Sequence, residues 1–231
     1  MTILAVSRIS DGVCVAGVTD TGRWIRPTRE HPDGWRQLEY SDCRNAKGKW
    51  VIRKGNRVAV SVKKRISRVE DGHTEDFLVG DRPPELLEVL EEDEYRGICT
   101  KAEGADTSVI EETRRRRSIM IVRPDSVHDF SFCVEITRSG ARRYCPRCSF
   151  TIGRQPYRRV VISDAEWRAC GRQRQFFQSP CITWPQICRH LAVEDCRLTL
   201  GGNLVGDKPY LLISGVHLFP VRRFPLDFER E

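Results

Sequence analysis

Short apolar runs, most of them of strand length, set the pattern of this chain. Ile3, Ala5 and the residues up to Ile9 read as extended, Ser10-Asp11-Gly12 signals a turn, and Val13-Cys14-Val15-Ala16-Gly17-Val18 is long enough for one strand. Asp20-Thr21-Gly22 turns the chain again before Arg23-Trp24-Ile25-Arg26-Pro27. Successive strand side chains point to opposite faces, so Trp24 and Arg26 share one face and Ile25 takes the other. Pro27 has no N–H to give to a ladder, so it ends the strand or marks an edge. Residues 29–48 are polar and irregular. Beyond them lie Trp50-Val51-Ile52, a Lys54-Gly55-Asn56 break and Arg57-Val58-Ala59-Val60-Ser61-Val62. In the last run Val58, Val60 and Val62 are expected to face inward, and the strand to continue to Ile66.

One helix is expected after Asp81, an N-cap type of residue, with Pro83 and Pro84 in its first turn and Leu86, Leu87 and Leu90 on one face. Residues 101–113 read as a polar loop leading to Arg114-Arg115-Arg116-Arg117 and the apolar Ile119-Met120-Ile121-Val122. Pro124-Asp125-Ser126 is a natural break. A second strand series follows: Phe132, Val134 and Ile136 alternate with Cys133 and Glu135, Ser139-Gly140 turns, and Arg142 to Tyr144 returns as hairpin partner. Val160-Val161-Ile162 is a further strand, and Ser163-Asp164 can cap a helix through Glu166-Trp167-Arg168. Arg197-Leu198-Thr199-Leu200, a Gly201-Gly202 turn and the run from Tyr210 to Val216 close the chain. Many short strands, few helices and Gly-rich turns predict a mainly β protein. The expected architecture is two small β-barrels in tandem, 1–125 with one short helix and 126–231 with an irregular Cys-rich insertion.

At 231 residues the chain can bury a sizeable core without disulfides, and its net charge of +7 favours a polyanionic partner. No apolar run approaches the ~18 residues that span a bilayer, and the opening lacks the features of a signal peptide. The expectation is a cytoplasmic protein with no membrane partner. Ten cysteines in a reducing compartment then point to metal ligation or simple burial rather than to disulfides.

The strings Cys14-Val15-Ala16-Gly17 and Gly22-Arg23-Trp24-Ile25-Arg26-Pro27 resemble the start of the dual OB-containing domain family. Val161-Ile162-Ser163-Asp164-Ala165-Glu166-Trp167 and Tyr210-Leu211-Leu212-Ile213-Ser214-Gly215 fit it too, so the resemblance covers nearly the whole chain. It implies two OB-type barrels in tandem, a mostly prokaryotic distribution, defence or conflict gene neighbourhoods and nucleic-acid binding. It brings no known catalytic residues.

OB folds hold single strands by stacking bases on exposed aromatics beside a basic groove. Arg23, Trp24 and Arg26 offer those residue types in one segment, and Trp50 with Lys49 and Arg53 repeats the combination. The alternative for either tryptophan is a place in the core. Arg114 and Arg116 would share one face of an extended run, and Arg142, Arg143, Arg147 and Arg158 surround a cysteine pair.

That pair, Cys145-Pro146-Arg147-Cys148, is a CxxC knuckle whose two sulfurs can converge on one metal. Cys170, Cys181, Cys188 and Cys196 are the candidates for the remaining ligands, of Zn2+ or of a 4Fe-4S cluster, since thiolates serve either. The alternative is that the cysteines are buried small hydrophobes. No phosphate-binding glycine loop and no nucleophile elbow is present. Asp71, Glu75 and Asp76 are expected in a surface loop.

The leading expectation is a nucleic-acid-binding accessory protein of a prokaryotic defence or nucleic-acid-processing system, with single strands favoured and a protein partner. The rivals are a protein-interaction subunit of a defence or repair complex, and a nuclease or nucleotide-processing enzyme.

Overall fold

A computed structural model describes residues 1–9, 12–29, 37–66, 74–104, 118–136, 140, 142–172, 181–205 and 208–224. Among these residues fourteen strands form two curled seven-stranded sheets. The first contains β1 (Thr2–Ile9), β2 (Gly12–Val18), β3 (Trp24–Thr28), β4 (Asn56–Ala59), β5 (Val62–Arg65), β6 (Asp76–Val79) and β7 (Glu85–Val89), in the order β5-β6-β3-β2-β1-β4-β7. The second contains β8 (Ile119–Val122), β9 (Ser126–Ile136), β10 (Arg142–Ile152), β11 (Gln155–Ile162), β12 (Cys181–Thr183), β13 (Asp195–Val205) and β14 (Lys208–Phe219), in the order β12-β9-β10-β11-β14-β13-β8. Pairing is antiparallel except at β3/β6 and β11/β14. Three α-helices join them among the described residues: α1 (Glu92–Lys101), α2 (Ala165–Arg172) and α3 (Trp184–Leu191). None of the helices is long and apolar enough to cross a membrane.

Several sequence expectations need correction. The helix expected after Asp81 is instead strand β7, held by the backbone of β4, and the helix begins seven residues past Glu85, at Glu92. Pro83 and Pro84 favour an extended backbone for the residue before each of them, which suits a strand entry equally well. The first turn of α1 gathers Glu92, Asp93 and Glu94, which complement the helix dipole. The valine run from Val58 breaks after Ala59, so Val58 is buried while Val62 starts a new strand and is exposed. Gly201 and Gly202 stay inside β13, opposite Leu212 and Leu211. The stretch from Cys170 to Cys196, expected to be irregular, carries the end of α2, then β12 and α3. Ile182, Ile187, Leu191 and Val193 bury one side of it.

The Asp164 cap is confirmed: its Oδ1 accepts the Trp167 N–H at 2.9 Å. Trp167 then packs against Phe130, with ring centroids 4.6 Å apart, in the core of the second sheet.

A second apolar cluster contains residues of both sheets, including Leu4, Trp24, Ile121 and Phe219. Beside it the sheets meet through buried polar contacts. Ser7 Oγ donates to Ser214 O, and Thr199 Oγ1 donates to Leu4 O, both at 3.3 Å. Gly215 permits this approach, because a Cβ there would lie 2.6 Å from Leu4 O. His217 is bonded through both ring nitrogens, to Tyr95 Oη at 2.6 Å and to Thr199 Oγ1 at 2.7 Å. Burial, with help from the Lys54 and Arg197 charges, holds its pKa well below the usual value, so the ring is neutral.

Lys54 is the centre of this contact. Its Nζ donates to Asp164 Oδ2 at 2.5 Å and to Val216 O at 2.7 Å, and lies 3.8 Å from Glu166 Oε2. Burial alone would lower the Lys54 pKa, but the carboxylates of Asp164 and Glu166 outweigh it and keep the ammonium charged. Asp164 Oδ2 also accepts the Val216 N–H at 2.7 Å. One buried carboxylate thus joins the turn before β4, the start of α2 and strand β14.

Replacing Asp164 by Ala is expected to destabilise the protein by about 3–5 kcal/mol in urea unfolding, because it leaves the buried Lys54 ammonium only the more distant Glu166 carboxylate and removes a helix cap. Lys54→Met should also destabilise it, because the buried Asp164 carboxylate then keeps only the Trp167 and Val216 N–H groups.

Burial raises the Glu166 carboxyl from 4.5 to about 7, against the opposing pull of Lys54. A carboxyl whose folded pKa is raised adds stability below the unfolded value, and that stability is lost as pH rises to the folded value. The window runs from pH 4.5 to about 7. His217, with its lowered pKa, acts in the opposite sense over part of this range, so the comparison must be differential. Glu166→Gln should gain stability relative to the parent across this window, by on the order of 2–3 kcal/mol at neutral pH. Urea melts of both proteins at several pH values measure it.

Candidate nucleic-acid interface

Strands β3, β6 and β5 form one edge of the first sheet. Phe77 lies in β6 between Pro27 of β3 and Arg65 of β5, each directly opposite it in register. Residues opposite one another on neighbouring strands project from the same side of a sheet. The Phe77 ring is half-buried, and the exposed Arg23 guanidinium sits over it at 5.0 Å from the centroid. Arg65 is exposed and held in place by two hydrogen bonds from its guanidinium to Thr74 O, at 2.6 and 3.0 Å. The rest of β5 is Val62, Lys63 and Lys64, all exposed, and Lys63 pairs with Asp81 at 2.8 Å. The result is an aromatic ring flanked by arginines at a lysine-rich sheet edge.

Arg29 pairs with both oxygens of Asp42 and so ties the end of β3 to the short 3-10 turn Ser41–Cys43. That turn leads to Arg44, whose guanidinium lies 5.4 Å from the Trp50 ring, and to the exposed Lys47 and Lys49. Trp50 is half-buried, and its Nε1 donates to Ile52 O.

The segment expected to stack bases works differently. Trp24 is 8 % exposed and belongs to the cluster shared by the two sheets, so its ring is not available for stacking. Arg26 turns to the same inner side, where Asp76 binds it bidentately at 2.6 and 2.9 Å. Asp76 and Glu75, expected on a surface loop, are therefore buried, and Glu75 accepts a bond from Ser118. Of that segment only Arg23 faces outward. Phe77 escaped the sequence reading because a lone aromatic in the short run Asp76-Phe77-Leu78-Val79 has the pattern of a core residue. Its one signal was the proximity of Lys63, Lys64 and Arg65 on a neighbouring strand, which requires the register to be known.

Arg53 is half-buried beside Lys54. Arg114 and Arg116 lie outside the described residues, and so do the side chains of Arg142 and Arg143, whose backbone belongs to β10. Arg147 is engaged with Glu135 at 2.5 Å and donates to Arg159 O at 3.0 Å. Arg158 and Arg159 are both exposed although consecutive, because a bulge opposite Ser149 interrupts the alternation and puts Arg159 at φ 52.

The six candidate metal ligands are divided by the second sheet. Cys145 and Cys148 belong to the continuous strand β10, three positions apart, so their side chains leave opposite faces. A knuckle converges only where the backbone turns, and here it does not. Cys148 enters the core with Cys170 and Cys196, and Cys188 packs against it. Burial raises the thiol pKa of all four, for Cys170 to about 12, so they stay protonated at neutral pH. Cys145 lies on the other face, opposite Cys133 in register, and Cys181 faces Ser131 on the edge strand β12. Among the described residues no three His, Cys, Asp or Glu side chains form a group that could hold a metal ion.

Neither a curated protein nor a solved structure matches the chain. A family model does, over residues 1–183. The match spans the whole first sheet and most of the second, including β9, β10, α2 and the basic edge described above. OB domains generally bind nucleic acid. By this match the chain belongs to the dual OB-containing domain family.

Proposed function

We propose that the protein binds single-stranded nucleic acid across the β3–β6–β5 edge of its first barrel. A base displaces the Arg23 guanidinium from the Phe77 ring and stacks there, and Arg23 and Arg65 contact the phosphates on either side. The observation that carries this reading is the register that places Phe77 opposite Arg65, with Arg23 above its ring. Stacking accepts any base, so the expected binding is tolerant of sequence. The opposite edge of the same sheet is unsuited to a polyanion: β7 and the start of α1 carry Glu85, Glu88, Glu91, Asp93 and Glu94. The family resemblance alone supports an accessory role in a prokaryotic defence or nucleic-acid-processing system.

A protein partner is the second reading, and β7 favours it. It is an edge strand with Leu87 57 % and Val89 49 % exposed, a combination that invites pairing with another chain. Leu87→Lys should abolish such an association and leave nucleic-acid binding unchanged.

Fluorescence anisotropy with labelled single-stranded DNA and RNA oligomers tests the first reading. The logarithm of the affinity should fall linearly with the logarithm of salt concentration, with a slope of about −0.7 per phosphate contacted. Arg65→Ala should weaken binding and make the slope shallower by about one contact. Binding that ignores salt would overturn the proposal.

Two aromatic substitutions should separate surface from core. Phe77→Ala is expected to weaken binding by about 1–3 kcal/mol with little change in Tm. Trp24→Ala should instead destabilise the fold by about 3–5 kcal/mol. The reverse outcome would place the stacking surface at Trp24.

A further inference from the structure

The outer face of β9 and β10 carries two thiols that the knuckle motif does not pair. Cys133 of β9 stands directly opposite Cys145 of β10, within a stretch of eight residue pairs where the register runs without a bulge. Directly opposed residues of an antiparallel pair have Cα atoms about 4.5–5.5 Å apart, inside the range of about 4.4–6.8 Å that disulfides span. Cys133 already reaches across the ladder: its Sγ lies 3.0 Å from Cys145 O. Cys133 is half-buried, whereas Cys145 is 5 % exposed, close to the Glu135–Arg147 ion pair, both of whose members its sulfur approaches. One thiol is therefore open to a small oxidant, and the other waits beside it on the same face.

We propose that Cys133 and Cys145 form a reversible cross-strand disulfide, with a peroxide as the oxidant. The Cys133 thiolate attacks one peroxide oxygen. The O–O bond breaks, and the departing hydroxide takes up the proton that the thiol released, leaving a sulfenic acid on Cys133 and one water. The Cys145 sulfur then attacks the Cys133 sulfur. The S–S bond forms, the S–O bond breaks, and the hydroxide leaves with the Cys145 proton as a second water. Two thiols lose two electrons, and one peroxide is reduced to two waters. Arg147 is a positioning residue, because its ion pair with Glu135 ties β10 to β9 beside Cys145. No other described thiol shares this geometry. Cys148 faces the core, and Cys181, exposed on the same outer face, lies opposite Ser131 rather than a cysteine.

The test uses the full chain, reduced with dithiothreitol, desalted, exposed to hydrogen peroxide, acid-quenched and alkylated under denaturing conditions. In the digest, trypsin isolates Cys145 in the peptide 144–147 and Cys133 in the peptide 118–138. The expected result is a linked pair of these two peptides, lighter by two hydrogens than their sum and separated again by dithiothreitol. Cys181→Ser should leave the linkage intact, and Cys133→Ser should leave Cys145 open to alkylation at the same peroxide dose. Arg147→Gln should slow formation of the linkage several-fold, with urea unfolding run alongside to check that the hairpin remains folded. Linkage of Cys145 to Cys181, or both thiols still reduced at a dose that oxidises the exposed Cys181, would overturn the proposal.

Discussion

An ammonium ion enclosed in protein needs a counter-ion within reach, and Lys54 has its counter-ion on the other half of the molecule. Lys54 precedes β4 in the first sheet, whereas Asp164 begins α2 and Val216 lies in β14. Any displacement of one sheet against the other would leave a charge buried without its partner, a loss far larger than that of a shifted apolar contact. The ion pair therefore selects one docking arrangement. The neighbouring features conform to it: the approach of β1 to β14 at Gly215, the neutral His217 bonded on both nitrogens, and the apolar cluster built from Leu4, Trp24, Ile121 and Phe219.

With the inner side of the first sheet committed to this contact, the proposed function would have ligands meet its edges. These differ in charge. The β5 edge offers Lys63, Lys64 and Arg65 beside Phe77, and the β7 edge offers Glu85 and Glu88 beside Leu87 and Val89. A polyanion and a protein strand would thus be received at opposite ends of one sheet. The burial of Trp24 belongs to the same logic. A large aromatic next to the sheet contact contributes more as core than as a platform, and the arginine two residues later is held by Asp76 for the same reason of burial.

The cysteines show how much a backbone conformation changes the chemistry of a motif. In a turn, CxxC brings two sulfurs together. In a strand it sends one inward and one outward, and each finds a different neighbour: Cys148 the apolar core, Cys145 its cross-strand opposite, Cys133.

From the sequence by itself, the mainly β character, the tandem arrangement, the turn at Gly22, the Asp164 helix cap and the family could all be read. These depend on local periodicity, on a capping residue beside its helix, or on contiguous motif strings. The positions that failed share a different dependence. Whether residues 85–89 are helix or strand was decided by a partner strand, β4, almost thirty residues earlier. Whether Trp24 faces base or core was decided by the docking of the second sheet, and the pairing of Cys145 by the register of β9 on β10. Phe77 becomes a candidate platform only because β5 lays Arg65 beside it. Strand side chains alternate at fixed period, so local sequence can say that two residues share a face. Which face is buried, and what lies across the ladder, are settled by residues distant in the chain, and that information exists only in the tertiary structure.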